Sequence, residues 1–101
     1  MRVNAALLLL LCAGLAHAAA DAGRVRSSQC AACHGQNGIA TQPETPNLAG
    51  QNEAYLIKAL KDYRSGARRH EQMSVMAKGL SDKDIASLAA YYSRLSASGT
   101  P

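Results

Sequence analysis

Large aromatic residues are almost missing from this chain of 101 residues, which has no phenylalanine, no tryptophan and only four tyrosines. Cysteine is also scarce, with three residues in the whole sequence. A domain of this size buries too small a core to be very stable by itself, and it usually needs a cross-link or a bound group as well. Because so few cysteines leave little room for disulfide cross-links, we expect a bound group to complete the core.

Patterns that carry enzyme chemistry are also missing. The chain has no glycine-rich phosphate loop, no nucleophile with a base close to it in sequence and no carboxylate pair in an evident cleft, so we expect no enzyme. Its formal net charge is +4 at pH 7, but Arg2 belongs to a leader and the acidic groups of a cofactor would reduce the excess further. We therefore expect no binding to nucleic acid.

The amino terminus has the parts of a secretory signal peptide. A basic start precedes an apolar run from Ala5 to Leu15, and small residues follow in which cleavage after Ala18 or Ala20 fits equally well. The apolar run is shorter than the about 20 residues that a membrane-spanning helix needs. We therefore expect the leader, with Cys12, to be removed.

This interpretation divides the chain into a leader over residues 1–20 and a domain over residues 21–101. A mature chain of this length forms one small domain. Export through such a leader places the domain in the periplasm, and we expect it to have no stable membrane anchor.

The pentapeptide Cys30-Ala31-Ala32-Cys33-His34 is the most specific pattern in the sequence. Two cysteines separated by two residues and followed by a histidine are typical of haem c attachment. The cysteines lie about one helical turn apart, so both sulfurs can form thioethers along one edge of a haem. The histidine that follows can ligate the iron. We therefore expect one covalent haem c bound through Cys30 and Cys33, with His34 as one axial ligand.

Other sites that use a Cys-x-x-Cys pair fit the sequence less well. A thioredoxin-like redox pair would follow a strand, and residues 21–29 show no strand pattern. A zinc site normally needs a second pair of ligands, but the domain has no further cysteine and only His70 as a further histidine. A disulfide across two intervening residues would close almost no loop and add little stability. Haem attachment remains the favoured interpretation.

A first helix is predicted over residues 22–32, with Val25 as its main apolar residue. Gly23 is a poor helix former, so we interpret it as a point where another helix approaches closely. The segment from Gly35 to Gly50 is rich in glycine, asparagine, threonine and proline, which predicts a loop.

Two further helices have clear start signals. One runs from about Asn52, a suitable cap, to Ser65, with a stop at Gly66. The other begins after Ser81, whose hydroxyl and a following acid resemble a capping box. No clear period is present over residues 66–79, where no helix is expected. The apolar stripes at helical spacing consist of Tyr55, Leu56, Ala59, Leu60 and Tyr63 in one helix and Ile85, Leu88, Ala89, Tyr92 and Leu95 in the other.

The loop after the haem motif ends in Pro46-Asn47-Leu48-Ala49-Gly50, a Pro-x-Leu-x-Gly pattern. With this loop, the haem motif and the last helix, the sequence resembles class I c-type cytochromes. The likeness covers nearly the whole mature chain and is strongest to single domains of the bacterial two-haem tandem cytochromes, with similar Leu-Ala-Gly-Gln, Met-x-x-Met and Leu-Ser-Asp-x-Asp-Ile segments. This chain contains one haem motif and therefore corresponds to one such domain.

The resemblance implies roles for two loop residues and for the first helix. The Pro46 carbonyl would accept a hydrogen bond from the second ring nitrogen of the haem-ligating histidine and so orient that ring. Leu48 would lie against the haem. The last helix would cross the first near Gly23, with Leu88 and Tyr91 at the crossing.

A methionine is the second axial ligand that the resemblance implies, since a neutral thioether is the usual partner of histidine in electron-transfer haems. Met73 is our first choice, because it stands seven residues before Leu80, at the spacing seen in similar bacterial proteins. Met76 is the second choice. His70 would instead give a bis-histidine site of lower potential, but its charged neighbours indicate an exposed side chain.

The fold that the resemblance implies is all-α: a small cytochrome c fold with three main helices and loops wrapped around one covalently bound haem. Iron ligated by His34 and Met73 has no open position for a substrate, which favours one-electron transfer. We therefore expect a monomeric periplasmic electron carrier. Its partners would be redox proteins such as a membrane cytochrome complex, a terminal oxidase or a periplasmic dehydrogenase.

Two other functions stay open at this point. The chain can be a haem c subunit bound permanently to a periplasmic dehydrogenase or oxidoreductase, or a ligand sensor or small peroxidase with a displaceable sixth ligand. A basic surface would favour docking to an acidic partner, although a solvated face explains the same charges. Its candidate residues are Lys58, Lys61, Arg64, Arg68, Arg69 and Lys78.

Overall fold

Helices make up all the regular structure of the computed structural model, which describes residues 2–98. Within that range no strand occurs, so the all-α class is confirmed. Loops occupy the segment between the second and third helices, where the sequence predicted one. The five helices are α1 (Ala5–Arg26), α2 (Ser28–His34), α3 (Glu53–Ser65), α4 (Glu71–Lys78) and α5 (Asp82–Arg94).

Helix α1 begins inside the predicted leader and is longer than expected. Asn4 caps it by accepting a hydrogen bond from the Ala6 N–H at 3.2 Å, and the alanine-rich segment continues the helix because alanine has the highest helix propensity. With 22 residues it is long and apolar enough to cross a membrane, a test that a signal sequence near the amino terminus also passes. The leader leucines are at least half exposed, so they add nothing to the core of the domain.

The helix predicted over residues 22–32 is divided into two. Helices α1 and α2 lie on either side of Ser27, whose hydroxyl donates to the Arg24 carbonyl at 2.7 Å. Serine hydroxyls compete with helical hydrogen bonds in this way, and periodicity alone did not reveal the interruption. Val25, the expected main apolar residue of this segment, is 73% exposed and lies outside the core.

Helices α1 and α5 pack against each other at Gly23. A Cβ atom built on Gly23 would lie 1.9 Å from the Ser87 carbonyl oxygen and 2.7 Å from the Tyr91 Cβ. Only glycine fits there, so the predicted close approach is confirmed. Tyr91 lies at this crossing, as the resemblance implies, and Leu88, which follows Ser87, is buried in the core.

The two helices run in opposite directions along their contact. Near the start of the contact Arg94 donates to the Ala16 carbonyl at 2.6 Å, and at its other end the Arg26 guanidinium lies 3.4 Å from the Asp84 carboxylate. The contact therefore brings together the two ends of the domain.

The predicted boundaries of α3 and α5 are confirmed by their caps. Asn52 accepts a hydrogen bond from the Tyr55 N–H at 2.9 Å, and Gly66 ends α3 with a φ of 89°. Ser81 and Asp84 form a full capping box at the start of α5. Tyr55, placed on the apolar stripe, is exposed instead. The core cluster consists of Leu56, Leu80, Ile85, Leu88, Ala89, Tyr92 and Leu95.

Helix α4 was not predicted, and its start explains why. Its N-cap is His70, whose Nδ1 accepts a hydrogen bond from the Met73 N–H at 3.2 Å, whereas serine, threonine, aspartate and asparagine are the usual capping residues. The His70 N–H in turn donates to the Ser74 hydroxyl at 3.0 Å. His70 is exposed, as expected, but it positions the helix that carries both methionines.

Candidate haem-binding site

Helix α2 carries the cysteine motif on a single short helix. Cys30 and Cys33 are free thiols and both are partly buried, while His34 is only 7% exposed. Gly35 ends the helix with a φ of 82°, a conformation that a side chain rarely adopts. This turn directs the following loop back along the site.

The imidazole of His34 is held by the loop. Its Nδ1 lies 2.8 Å from the Pro46 carbonyl oxygen, which can only accept a hydrogen bond, so Nδ1 carries the proton and Nε2 keeps a free lone pair. This is the hydrogen bond that the resemblance implies. It leaves the ring in the tautomer that a metal ligand needs.

Backbone hydrogen bonds fix the loop that supplies this carbonyl. The Leu48 N–H donates to the Gly38 carbonyl at 2.8 Å, and the Ala40 N–H donates to the Asn47 side chain at the same distance. Leu48 is partly buried and packs against the core cluster. The loop therefore brings Pro46 to His34 and Leu48 to the core, on the side of the domain that carries α2.

Cys30 lies against the core beside Tyr92. Burial raises the pKa of the Cys30 thiol, and the neighbouring Tyr92 hydroxyl opposes this rise. The Tyr92 hydroxyl is itself buried and makes no hydrogen bond of ordinary geometry within residues 2–98, but the Cys30 and Ser27 side chains are its polar neighbours. Tyr92 was predicted only as part of an apolar stripe, and helical spacing carries no signal for its hydroxyl.

The two candidate methionines differ in burial. Met73 is partly buried, whereas Met76 is 42% exposed. Both lie on α4, which packs against α3 and, among the described helices, makes no contact with α2. The structure therefore does not bring Met73 to His34 directly, and a group bound by both would lie between α2 and α4.

The donors of this site suit a haem better than a bare metal ion. Two free thiols, a histidine with an available Nε2 and a partly buried thioether are the groups that attach and ligate a haem c. Among residues 2–98 no three histidine, cysteine, aspartate or glutamate side chains are grouped to hold a metal ion. The buried Tyr92 hydroxyl beside Cys30 is a polar group at the position where a haem attached to Cys30 would contact the core.

Comparison with known proteins agrees with this site. The family model described as cytochrome c matches residues 19–96. Cytochrome c4 of Pseudomonas aeruginosa is 46% identical over 88 residues, which are 85% of this chain and 44% of that protein. Cytochrome c-554(548) of Halomonas halodenitrificans is 48% identical over 77 residues, which are 73% of this chain and 93% of that protein.

A solved structure has the same fold. Cytochrome c4 of Acidithiobacillus ferrooxidans superposes with a TM-score of 0.73 at 32% identity, covering 77% of this chain and 50% of that one. The chain thus spans about half the length of the cytochrome c4 proteins it matches and nearly all of the length of cytochrome c-554(548). The Cys-x-x-Cys-His motif indicates one covalent haem c. Because the family model also covers most of the sequence, this chain belongs to the cytochrome c family.

Proposed function

We propose that this protein is a one-electron carrier whose single haem c is attached at Cys30 and Cys33 and ligated by His34 and Met73. The observation that carries the proposal is the 2.8 Å contact between the His34 Nδ1 and the Pro46 carbonyl. That hydrogen bond orients the imidazole and leaves Nε2 available. It is the arrangement by which proteins hold a histidine ligand in place.

The polypeptide contributes geometry and environment. When bound, haem c supplies an iron that gains or loses one electron. His34 and Met73 would fill both axial positions, so that no substrate can bind and the ligands need little rearrangement during transfer. Leu48 would shield one side of the group from water, and a drier, apolar surrounding raises the reduction potential.

The choice of Met73 over Met76 rests on burial and on helix position. An axial ligand must turn toward the core, and Met73 is the more buried of the two sulfur side chains. Its backbone N–H is tied to the capping His70, so it stands in the first turn of α4, where the helix start limits its movement. Met76 would then pack at the edge of the site.

Absorption spectra of the purified protein in both oxidation states test the proposal. A low-spin spectrum, and a ferrous form that does not bind carbon monoxide, are expected when both axial positions are filled by protein. High-spin iron or carbon monoxide binding to the folded ferrous protein would instead indicate a sensor or peroxidase. A colourless, folded protein would exclude the haem altogether.

The periplasm is the proposed location. The leader leucines are exposed and α1 is apolar enough for a signal sequence, while the core cluster lies entirely after residue 55. The domain therefore does not depend on the leader for its core. Removal of residues 1–20 after export is compatible with the fold.

The basic surface is smaller than the sequence indicated. Lys58 pairs with Asp62, Arg64 donates to the Asp82 carboxylate at 2.6 Å, and Arg68 is engaged with aromatic side chains. Three of the six basic residues predicted for this surface therefore already interact with other side chains of the protein. Within residues 2–98, Lys61, Arg69 and Lys78 have neither a described ion pair nor a contact with an aromatic side chain, and we propose that they supply the attraction toward an acidic redox partner.

A free carrier is favoured over a permanent enzyme subunit. Obligate interfaces are large and apolar, whereas few large apolar side chains are exposed in the described part of the domain after residue 20. Size-exclusion chromatography of the protein from its source separates the two, since a permanent subunit would elute with its enzyme. The exposed side chains in question are Val25, Tyr55, Val75 and Met76.

A further inference from the structure

The hydroxyl of Tyr92 is the buried polar group that the fold itself leaves unexplained. Tyr92 is 3% exposed, and within residues 2–98 its oxygen makes no hydrogen bond of ordinary geometry, although the Cys30 and Ser27 side chains lie beside it. A buried hydroxyl without a partner destabilises the fold, because it has lost its hydrogen bonds to water and gained none in return. Phenylalanine would fill the same space without that cost, so we ask which of the polar groups near the oxygen, the side chains of Cys30 and Ser27, becomes its partner.

The ring cannot swing its hydroxyl out to solvent. The Tyr92 carbonyl accepts the Gly50 N–H at 2.9 Å, which ties this turn of α5 to the loop. One edge of the ring would lie 3.1 Å from a Cβ on Gly38, and the Tyr91 ring packs at 5.0 Å between centroids on another side. Backbone and neighbours therefore hold the oxygen inside the domain.

The group beside that oxygen is the first cysteine of the haem motif. Cys30 packs against the core cluster to which Tyr92 belongs. Burial raises the pKa of the Tyr92 phenol, and the adjacent Cys30 raises it further. The phenol therefore keeps its proton and remains a hydrogen-bond donor.

We infer that the Tyr92 hydroxyl donates a hydrogen bond to the Cys30 sulfur once that sulfur carries the haem, an inference that rests on the proposed function. A free thiol has a weak proton of its own to donate, but a thioether sulfur has none and can only accept. Attachment thus turns Cys30 into a fixed acceptor beside a fixed donor. Tyr92 is a positioning residue for the attachment edge of the haem.

This hydrogen bond has an electrostatic consequence. It directs the positive end of the O–H dipole toward the edge of the haem, inside a core where such dipoles are weakly screened. The reduced form carries one more negative charge, so the dipole stabilises the reduced form over the oxidised form. Loss of the hydroxyl is therefore expected to lower the reduction potential.

The test compares Tyr92→Phe with Tyr91→Phe in the haem-loaded protein. Each variant removes one phenolic oxygen from neighbouring rings, so the two substitutions make the same chemical change. At a fixed ambient potential we expect Tyr92→Phe to lower the ratio of reduced to oxidised protein by about threefold, or about 28 mV at 59 mV per tenfold change. Tyr91→Phe should leave this ratio within error of the unchanged protein.

A second readout reports on the sulfur itself. The carbon–sulfur stretch of the Cys30 thioether, measured by resonance Raman spectroscopy, should shift in Tyr92→Phe and stay in place in Tyr91→Phe. An unchanged potential and an unchanged stretch in Tyr92→Phe would overturn the inference and assign the hydroxyl to a trapped water. That outcome in a protein with an intact low-spin spectrum leaves the proposed function standing, whereas an unloaded parent protein would refute both.

Discussion

Gly23 packs directly against the carbonyl oxygen of Ser87, where a Cβ atom would lie at 1.9 Å. The obstructing atom belongs to the backbone of α5 and cannot turn aside as a flexible side chain would. Gly23→Ala should therefore force α1 and α5 apart and destabilise the domain by about 3 kcal/mol. Denaturant unfolding of the haem-loaded protein measures the loss.

Gly79→Ala is the matched control for this substitution. Gly79 follows α4 with a φ of −83°, which any residue adopts, and a Cβ there meets nothing within 4 Å. Its unfolding midpoint should stay close to that of the parent. Equal midpoints for both alanine variants would show that the crossing is looser than the structure indicates.

The axial ligand can be identified by removing each sulfur in turn. Met73→Ala should abolish the weak far-red absorption of an iron–sulfur bond in the ferric protein, open the sixth position to carbon monoxide in the ferrous protein and lower the potential. Met76→Ala, on the same helix, should preserve all three properties. The reverse pattern would make Met76 the ligand.

The capping box of α5 predicts a pH dependence of stability. The Ser81 N–H donates to the Asp84 carboxylate at 3.0 Å and is the main reason that the pKa of this carboxyl is lowered in the folded state. A lowered folded pKa stabilises the protein above the unfolded value, near 3.9, and this contribution is lost as pH falls through the folded pKa.

Asp84→Asn isolates that contribution. Asparagine retains an acceptor for the Ser81 N–H but carries no charge, so the variant should be less stable than the parent at pH 6. The difference should shrink as pH falls below about 4. Unfolding midpoints measured across this range report it, with Glu44→Gln in the exposed loop as the charge-matched control. A difference that is independent of pH would contradict the predicted role of the carboxylate.

Removal of the leader should leave the domain intact. A chain that begins at Asp21 loses the Arg94 contact to Ala16 but no buried core side chain, so its unfolding midpoint should match that of the full chain. The intact mass of the protein from a periplasmic fraction should also correspond to cleavage after Ala18 or Ala20. A full-length mass in the membrane fraction would instead show that α1 serves as an anchor.

The exposed basic residues Lys61, Arg69 and Lys78 predict a salt-dependent rate. Oxidation of the reduced protein by ferricyanide, an anionic reagent, should slow as ionic strength rises, because salt screens exposed charges. Replacing Lys61, Arg69 and Lys78 by glutamine should flatten this dependence. A neutral oxidant provides the control and should react at a constant rate, and a salt-independent rate with ferricyanide would contradict steering by these residues.

Local signals in the sequence were sufficient where one residue decides a boundary. Asn52 and Ser81 cap the starts of α3 and α5 with their side chains, and Gly66 ends α3 with a positive φ. The structure shows each residue in its predicted role. The Cys-x-x-Cys-His motif has the same character, since its chemistry lies within five consecutive residues. Such features depend little on the rest of the fold.

Other features depend on partners distant in sequence. The start of α4 escaped prediction because a histidine caps it, and the break at Ser27 arises from a hydroxyl contact that does not alter the apolar pattern. Residues three apart share a helix face, so spacing cannot separate Met73 from Met76. The surroundings of the Tyr92 hydroxyl become visible only when the fold brings the Tyr92 ring, the Cys30 side chain and the loop together.

The contact between α1 and α5 has a consequence for how the protein is made. It joins segments from the beginning and the end of the domain, and contacts between distant segments must wait until both are available. A chain that emerges from its amino terminus onward therefore presents Cys30 and Cys33 before α5 exists to enclose them. During that interval the thiols are accessible for attachment to the porphyrin. The later packing of α1 against α5 would then stabilise the haem-loaded domain.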